Sequence, residues 1–366
     1  MTAPGSPTPA APPKEEVRAP VPRIEVLRWM RENLFNGWYN SILTVVTLYG
    51  LWKVVPPLIR WAFMNSCWVT TAEECRKATG ACWSVVTSNI RFIVFGFYPH
   101  DQQWRPLVAM LMLVAMLFYT RDRRHWKRSL VYMWIAALVI MGVLMKGGVL
   151  GLPSVDTTQW SGLPLTLLLS VFGMVAAYPL GVLLALARRS RLPAVKSLAV
   201  AYIEMIRGVP LISLLFMSSV MFPLFLPEGV TINKILRAQV AIILFTAAYI
   251  AEVVRGGLQA IPRGQYEAAE SLGLNYYLTM RLVILPQALK IVIPPTVGIL
   301  ISAFKDTSLV VIIALYDVLN TTKSVLSNPQ WMGFSTEAYI FLALVYFVCC
   351  YAMSNYSRRL EQELGT

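Results

Sequence analysis

The sequence has few charged residues and almost no histidine. Only 14% of its 366 residues are Asp, Glu, Lys or Arg, and its two histidines are His100 and His125. Soluble domains carry about 25% charged residues, so this composition argues against a soluble fold. The scarcity of histidine argues against a histidine-based catalytic or metal site. The sequence also lacks G-x-x-x-x-G-K-[ST], so no loop of this type can hold ATP phosphates. We therefore expect neither an enzyme nor a chain with a cofactor of its own.

Cysteine is also scarce. Of the five cysteines, Cys349 and Cys350 lie in an apolar run and are expected to pack as small hydrophobic side chains. Cys67, Cys75 and Cys82 share one polar segment and do not match a four-ligand zinc pattern. If that segment lies outside the cytoplasm, one disulfide can form and one thiol remains, and the spacing leaves the pairing open.

Apolar residues, in contrast, are abundant. They make up 57% of the chain, and the mean hydropathy is +0.58. They gather in runs long enough to cross about 30 Å of hydrocarbon. We predict an all-α polytopic membrane protein with about eight transmembrane helices, at residues 38–59, 104–120, 129–145, 163–187, within 198–226, 235–254, 282–304 and 338–353.

The positive charge predicts the orientation. The net charge of +13 falls mostly in short clusters beside the apolar runs, at 121–128, at 188–196 and at Arg358 and Arg359. Such clusters mark cytoplasmic ends of membrane helices, so they predict membrane contact and do not indicate nucleic acid. With eight spans, both termini are cytoplasmic and the cysteine segment lies outside.

The distribution of apolar and polar residues divides the chain into four predicted regions. Residues 1–37 form a disordered or interfacial cytoplasmic arm, in which 24–36 is either a short interfacial helix or an extension of the first span. Residues 38–160 form an N-terminal transmembrane region with an extracytoplasmic polar loop at 60–103. Residues 161–356 form the C-terminal membrane core, and 357–366 a cytoplasmic tail.

The most patterned polar stretch runs from Gly264 to Pro286. Pro262 can open a helix, Gly273 fits the left-handed position that ends one, and Asn275 can cap the next. The stretch therefore predicts a short stiff helix that two membrane helices hold outside the bilayer.

This stretch resembles the E-A-A loop of ABC importer permeases, with Val283 in place of the usual Ile. In that family the loop docks on the ATPase subunit. The resemblance implies that ATPase coupling falls to Gly264, Gln265, Glu267, Ala268, Ala269, Gly273, Leu285 and Pro286.

Two further segments extend the resemblance to the polar amino acid permeases. They are E-M-I-R-G-V-P-L from Glu204 and A-E-V-V-R-G-G-L from Ala251. Each holds a Glu and an Arg three residues apart, which can pair on one helix face. Glu204 and Glu252 are candidates for the substrate path, and Arg207 and Arg255 are expected to form structural pairs with them.

A third segment, Lys305, Asp306, Thr307 and Ser308, is similar to a K-D-T-S-L segment of the same family. We expect it to close the seventh span near the outer mouth, where 310–316 is too short to span and would be re-entrant or lie on the surface. These four side chains could bind the ammonium and carboxylate of an amino acid; the alternative is a lid that only packs.

The resemblance covers about residues 163–353 and implies a five-helix core of the type I importer class in a bacterial inner membrane. The N-terminal additions resemble the general L-amino acid permease subunits. The implied partners are an ABC ATPase dimer that holds ATP and Mg²⁺, a second homologous permease, a periplasmic amino acid-binding protein and membrane lipid. Two other functions stay open: a proton-coupled secondary transporter that uses Glu204 and Glu252, and a receptor that binds amino acids without moving them.

Overall fold

The computed structural model describes residues 26–149 and 151–364. Most of the predicted arm therefore lies outside the described residues. The chain divides into two units, Met1–Asn65 and Ser66–Thr366, and each is described by itself.

The described part of the first unit, residues 26–65, contains two α-helices, α1 (Val26–Asn33) and α2 (Trp38–Ile59). α1 is a separate short helix, so it is not an extension of the first span. α2 runs through Pro56 and Pro57 and continues as a π-helical turn, Arg60–Met64. Beyond the prolines the helical hydrogen bonds continue, since the Arg60 N–H donates to the Pro56 and Pro57 carbonyls. The first span is thus Trp38–Met64, longer than predicted.

The second unit is a helical bundle. Its helices are α3 (Ala72–Lys77), α4 (Ser84–Phe95), α5 (Trp104–Thr120), α6 (Arg128–Lys146), α7 (Gly162–Arg188), α8 (Pro193–Arg207), α9 (Leu211–Phe216), α10 (Lys234–Ala260), α11 (Arg263–Ser271), α12 (Tyr276–Leu278), α13 (Leu285–Ile291), α14 (Ile293–Asp306), α15 (Val318–Leu326) and α16 (Ser335–Leu364).

The predicted fold class is confirmed. Over the described ranges of both units, seven helices are long and apolar enough to cross a membrane, and one bent pair brings the number to eight. No β-strand occurs in those ranges.

The centre of the bundle is the pair α7 and α10. A Cβ on Gly173 would meet Ile242, and one on Gly181 would meet Ile250, so contacts advance along both helices in the same direction and the helices are parallel. Small residues at every fourth position of α7 allow this close approach. They are Gly173, Ala177, Gly181 and Ala185.

The 27 residues of α7 span about 40 Å at 1.5 Å per residue, which is enough to separate the two faces of a membrane. We call the end at Arg188 the coupling side, because α11 contacts it. We call the end at Gly162 the disulfide side, because α4 contacts it.

The fifth span is broken. α8 and the helical stretch from Leu211 to Phe225 meet at an angle of 104°. The break falls at Gly208–Pro210, where glycine adds freedom and Pro210 has no N–H to continue the helix. The sequence placed this span within 198–226 without the bend.

The seventh span is displaced from its predicted bounds of 282–304. It runs from Ile293 to Ile313, and the residues before it form a π-helical turn, Thr279–Ile284, followed by α13. Pro294 and Pro295 explain the new start, because proline is tolerated in the first turn of a helix and disfavoured further in.

Segment 60–103, predicted as a long polar loop, contains regular secondary structure. It holds α3, α4 and the turn Arg60–Met64, and Cys75 and Cys82 form a disulfide that leaves Cys67 free. One disulfide and one thiol agree with the cysteine count. At the other end of the chain, α16 continues through the predicted tail as far as Leu364.

Candidate functional site

The short helix predicted outside the bilayer is α11. Pro262 stands at its N-cap, and Gly273 follows its end with φ of 72°. The N–H of Leu274 donates to the Ala269 carbonyl at 3.2 Å, and that of Gly273 to the Glu270 carbonyl at 2.8 Å. These two bonds form a Schellman motif, which needs a residue in the left-handed region.

α11 has one buried side and one exposed side. Ala269 is 2% exposed, whereas Leu272 is 79% exposed. Glu267, Ala268 and Gly264 are exposed as well. The exposed residues form a surface, here called the coupling surface (Gly264, Glu267, Ala268 and Leu272), that a soluble protein could contact.

Side chains from two other segments hold α11. The Gln287 Nε2 donates to the Gln265 Oε1 at 3.1 Å and to the Val283 carbonyl at 2.8 Å. The Arg189 Nη1 donates to the Tyr266 hydroxyl at 3.0 Å and to the Leu258 carbonyl at 3.2 Å. These bonds join the helix to α13, α7 and α10.

The anchors Arg189, Tyr266 and Gln287 were not among the predicted coupling residues. The guanidinium of Arg189 also lies over the Tyr266 ring, 5.6 Å from its centroid. From the sequence, the basic cluster at 188–196 indicates only membrane orientation, and a Tyr in a short polar helix gives no signal of its own.

Leu285 and Pro286 form the first turn of α13, with Leu285 half-buried and Pro286 exposed. Asn275 caps the next helix as predicted, since its side chain accepts from the Leu278 N–H at 2.9 Å. α11 is thus fixed at both ends by local geometry.

A cluster of charged side chains lies beside α11 on the coupling side. Glu252 is its centre: Arg188 lies 3.3 Å away, Arg207 lies 3.6 Å away, and Arg255 is hydrogen-bonded to it. Glu204 instead accepts from Arg188 at 2.8 Å. We call these five residues the Glu252 cluster.

The predicted pair Glu252 and Arg255 is therefore present, but the predicted pair Glu204 and Arg207 is wrong. Arg207 is the last residue of α8 and extends across to α10, where it also lies over the Tyr249 ring. The spacing of three residues showed that Glu204 and Arg207 could pair on one helix. In the structure, each of them instead pairs with a residue on another helix.

The segment Lys305 to Ser308 lies inside the seventh span, not after it. α14 continues from Asp306 into a 3₁₀-helix, Thr307–Ile313, so residues 310–313 belong to the same continuous helical stretch as the seventh span. Lys305 is exposed, Asp306 and Ser308 are half-buried, and Thr307 is fully buried. The Thr307 hydroxyl donates to the Phe304 carbonyl at 2.8 Å.

The two groups of substrate-path candidates are not brought together. Glu204 and Glu252 lie on the coupling side. Val310 and Ile313, which follow the Lys305 segment, pack with Leu165 near the start of α7. The Lys305 segment therefore lies toward the disulfide side.

Asp317 is a buried acid that the sequence did not single out. It is 0% exposed and caps α15, where it accepts from the Asn320 N–H at 3.0 Å and from the Tyr346 hydroxyl at 3.3 Å. Burial raises the pKa of the Asp317 carboxyl, and these hydrogen bonds partly oppose the shift. Its helix-capping position was the available signal.

These features define a class: a polytopic helical membrane protein that carries a short, largely exposed polar helix between two apolar helical segments. Residues 177–365 match the family described as "Binding-protein-dependent transport system inner membrane component". The match covers more than half of the chain, which therefore belongs to this family of ABC transporter permeases. It is a membrane component, not the ATPase, and the predicted permease fold is confirmed.

Several relatives are similar over most of the chain. The inner membrane amino-acid ABC transporter permease protein YhdY of Escherichia coli K12 is 49% identical, over 92% of this chain and 93% of its own length. The glutamate/glutamine/aspartate/asparagine transport system permease protein BztC of Rhodobacter capsulatus is 40% identical, over 94% of this chain and 95% of its own.

Shorter proteins match only part of the chain. The probable glutamine permease GlnP of Bacillus subtilis is 33% identical over 55% of this chain and 91% of its own length. A solved structure described as an amino acid ABC transporter with histidines is 32% identical, with a TM-score of 0.49, over 55% of this chain and 92% of that one.

Proposed function

We propose that this chain is the permease subunit of an ATP-driven importer that carries L-amino acids across a bacterial inner membrane. The coupling surface is the observation that carries the proposal. It is an exposed face on a helix that side-chain bonds hold to three other helices, so a force applied to it is transmitted to the bundle. The amino acid cargo is proposed from the names of YhdY and BztC.

The mechanism needs two global states. ATP binding by a partner ATPase would favour one state through its contact with the coupling surface, because a ligand shifts an equilibrium only by binding one state more tightly. Arg189 and Tyr266 would carry that bias to α7. ATP and Mg²⁺ belong to the ATPase dimer.

The family match supports a binding-protein partner, and the second permease subunit is proposed from the sequence resemblance. A binding protein would deliver the substrate, and a second permease subunit would complete the pathway. We propose that the coupling side is cytoplasmic and, separately, that both termini of the chain are cytoplasmic. Cys75 and Cys82 then face the oxidising compartment, where disulfides persist.

For substrate contact we propose Lys305, Asp306 and Ser308. Charged groups inside a membrane span are costly unless they face a cavity or a partner, so they mark candidate substrate sites. Thr307 is better explained by packing, since it is buried and bonds within its own helix. Asp306→Asn should raise the KM for uptake, whereas an unchanged KM would leave this segment with a packing role.

The ion pairs argue against the secondary transporter. Glu204 and Glu252 would have to take up and release protons, yet each lies within ion-pair distance of arginine. Arginine stabilises the ionised carboxylate. Uptake that stops on ATP depletion and persists with a protonophore would support the importer.

A cysteine crosslink tests the coupling surface. Cys67, Cys349 and Cys350 are replaced by serine while the Cys75–Cys82 disulfide is kept, and one cysteine is placed at Ala268. We expect a crosslink to co-purified ATPase whose yield changes with ATP, because the Ala268 side chain is exposed.

Ala269→Cys is the matched control. It lies one residue further along the same helix but is 2% exposed, so it should crosslink poorly. Equal yields from both positions would contradict the predicted face. No ATPase in the preparation, and no crosslink from Ala268 or Glu267, would contradict the importer itself.

A further inference from the structure

Residues 66–103, here called the disulfide module, contact the bundle on the side opposite α11. The Phe97 N–H donates to the Ser161 hydroxyl at 2.7 Å, directly before α7 begins. The other end of α7, about 40 Å away by its rise per residue, leads to Arg189 and Tyr266. The module is therefore remote from the coupling surface.

The module also bonds to α15 and to the connection that follows it. The Thr321 hydroxyl donates to the Ile93 carbonyl of α4 at 2.8 Å. The Arg76 Nη2 donates to the Pro329 carbonyl at 3.0 Å and to the Gln330 carbonyl at 3.2 Å. A segment of the N-terminal half thus holds the connection between α15 and α16.

The module is also hydrogen-bonded to the first turn of α16. The Cys82 N–H donates to the Glu337 carboxylate at 3.0 Å, and Glu337 is only 7% exposed. Ala338, which follows it, is fully buried, and Trp331, in the connection before α16, is 5% exposed, whereas Ser335 and Thr336 are exposed. The carboxylate is therefore turned inward to a backbone donor of the module.

The disulfide links two of these attachments. Cys75 immediately precedes Arg76, and Cys82 supplies the N–H that Glu337 accepts. The covalent bond fixes the distance between the Arg76 attachment and the Glu337 attachment. Both act on the same stretch of chain, residues 329–337.

We propose that the disulfide module is a brace that makes the disulfide-side ends of α7, α15 and α16 move as one body, with Arg76 and Glu337 as positioning residues. The functional consequence rests on the importer proposed above, in which these helix ends form the face that binds the substrate-loaded binding protein. The brace keeps the three helix ends in one relative position, so the binding protein meets a single arrangement of that face.

Hydrogen exchange on the assembled transporter in lipid nanodiscs tests the brace without transport. The reporters are three backbone amides in this stretch. The Trp331 N–H donates to the Asn328 carbonyl, the Phe334 N–H to the Trp331 carbonyl, and the Ala338 N–H to the Phe334 carbonyl. Glu337→Ala should raise their exchange about tenfold or more, because a hydrogen bond to a buried charged group is lost. Glu337→Gln keeps an acceptor oxygen and should restore most of the protection.

Two further variants separate the brace from a folding defect. Arg76→Ala changes an exposed side chain and should raise exchange in the same peptides but not in α10 and α11. The double change Cys75→Ser with Cys82→Ser should do the same, whereas Cys67→Ser, which alters the free cysteine, should not. Wild-type exchange in Glu337→Ala, Arg76→Ala and the double serine variant would overturn the proposal.

The functional arm measures ATP hydrolysis stimulated by a substrate-loaded binding protein. Glu337→Ala should raise the binding-protein concentration that gives half-maximal stimulation about fivefold or more. This factor corresponds to about 1 kcal/mol of binding free energy lost because the variant face must be ordered on binding. Basal hydrolysis should not change, and Glu337→Gln should restore the affinity. If exchange changes but this concentration does not, the positioning role is refuted. If the wild type shows no stimulation, the proposed function fails, while the exchange result still decides the brace.

Discussion

The left-handed conformation of Gly273 allows a quantitative test of the coupling helix. Its φ is 72°, and a Cβ added there would meet no atom within 4 Å. The cost of Gly273→Ala is thus conformational and not steric, about 1–2 kcal/mol for an L-residue in this region. At that cost, the conformation in which the two hydrogen bonds of the Schellman motif are open becomes about 5- to 30-fold more populated.

Three substitutions separate the backbone from the side chain. Gly273→Ala carries the full backbone cost, and Gly273→Asn carries less, because asparagine tolerates the left-handed region. Gly273→Arg adds a long charged side chain next to the coupling surface at a similar backbone cost. We expect transport to fall in the order Asn, Ala, Arg, with Arg abolishing it while the protein stays in the membrane.

Hydrogen exchange measures the backbone term directly. The Leu274 and Gly273 amides donate the two bonds of the Schellman motif, so they report opening of the turn. Gly142→Ala is the matched control, since Gly142 is also unobstructed but has no positive φ. Wild-type exchange in Gly273→Ala would refute the conformational argument. Normal uptake by well-expressed Gly273→Arg would refute the docking role of this turn.

Three other changes test the bundle. Glu252→Gln should destabilise the protein by about 1–3 kcal/mol, between the values for exposed and buried ion pairs, because the Glu252 side chain is 23% exposed; thermal unfolding in nanodiscs, with Arg207→Gln to complete a double-mutant cycle, measures it. Gly181→Val should cost about 1–3 kcal/mol or prevent folding, because its Cβ would lie 2.6 Å from Ile250; expression and thermal unfolding show which. Asp317→Ala should cost about 0.5–2 kcal/mol through loss of the α15 cap, seen as faster exchange at Asn320.

Local rules of chain geometry predicted the coupling helix well. These rules describe the effect of a single residue on its own backbone: Pro262 at the start of α11, Gly273 in the left-handed position at its end, and Asn275 as the cap of the next helix. At the break after α8, the sequence likewise showed the glycine and the proline. It did not show the angle that they produce between the two helices.

Partner choice among charged side chains could not be predicted in this way. Glu204 and Arg207 are three residues apart, but Arg207 ends α8 and its long side chain reaches Glu252 on α10. Arg188 joins Glu204 and Glu252 from α7. Contacts between helices depend on their packing angle and rotation, which a hydropathy pattern does not contain.

The seventh span shows a different limit. Hydropathy averages over a window, so it merged the π-helical turn at Thr279–Ile284 with the helix that follows. Pro294 and Pro295 marked the true start. The predicted bounds placed the Lys305 segment at the end of the span, whereas in the structure it lies inside the helical stretch Ile293–Ile313.

The proposed orientation is supported by two features that lie at opposite ends of α7. At one end of α7 lie the basic residues that begin with Arg188 and the helix α11, and such basic clusters favour the cytoplasmic side. At the other end lies the module closed by Cys75 and Cys82, and a disulfide favours an oxidising compartment. The reverse orientation would place a disulfide in a reducing compartment and a basic cluster outside the cell membrane at once. Because one continuous helix separates the two features, each supports the same assignment of sides independently of the other.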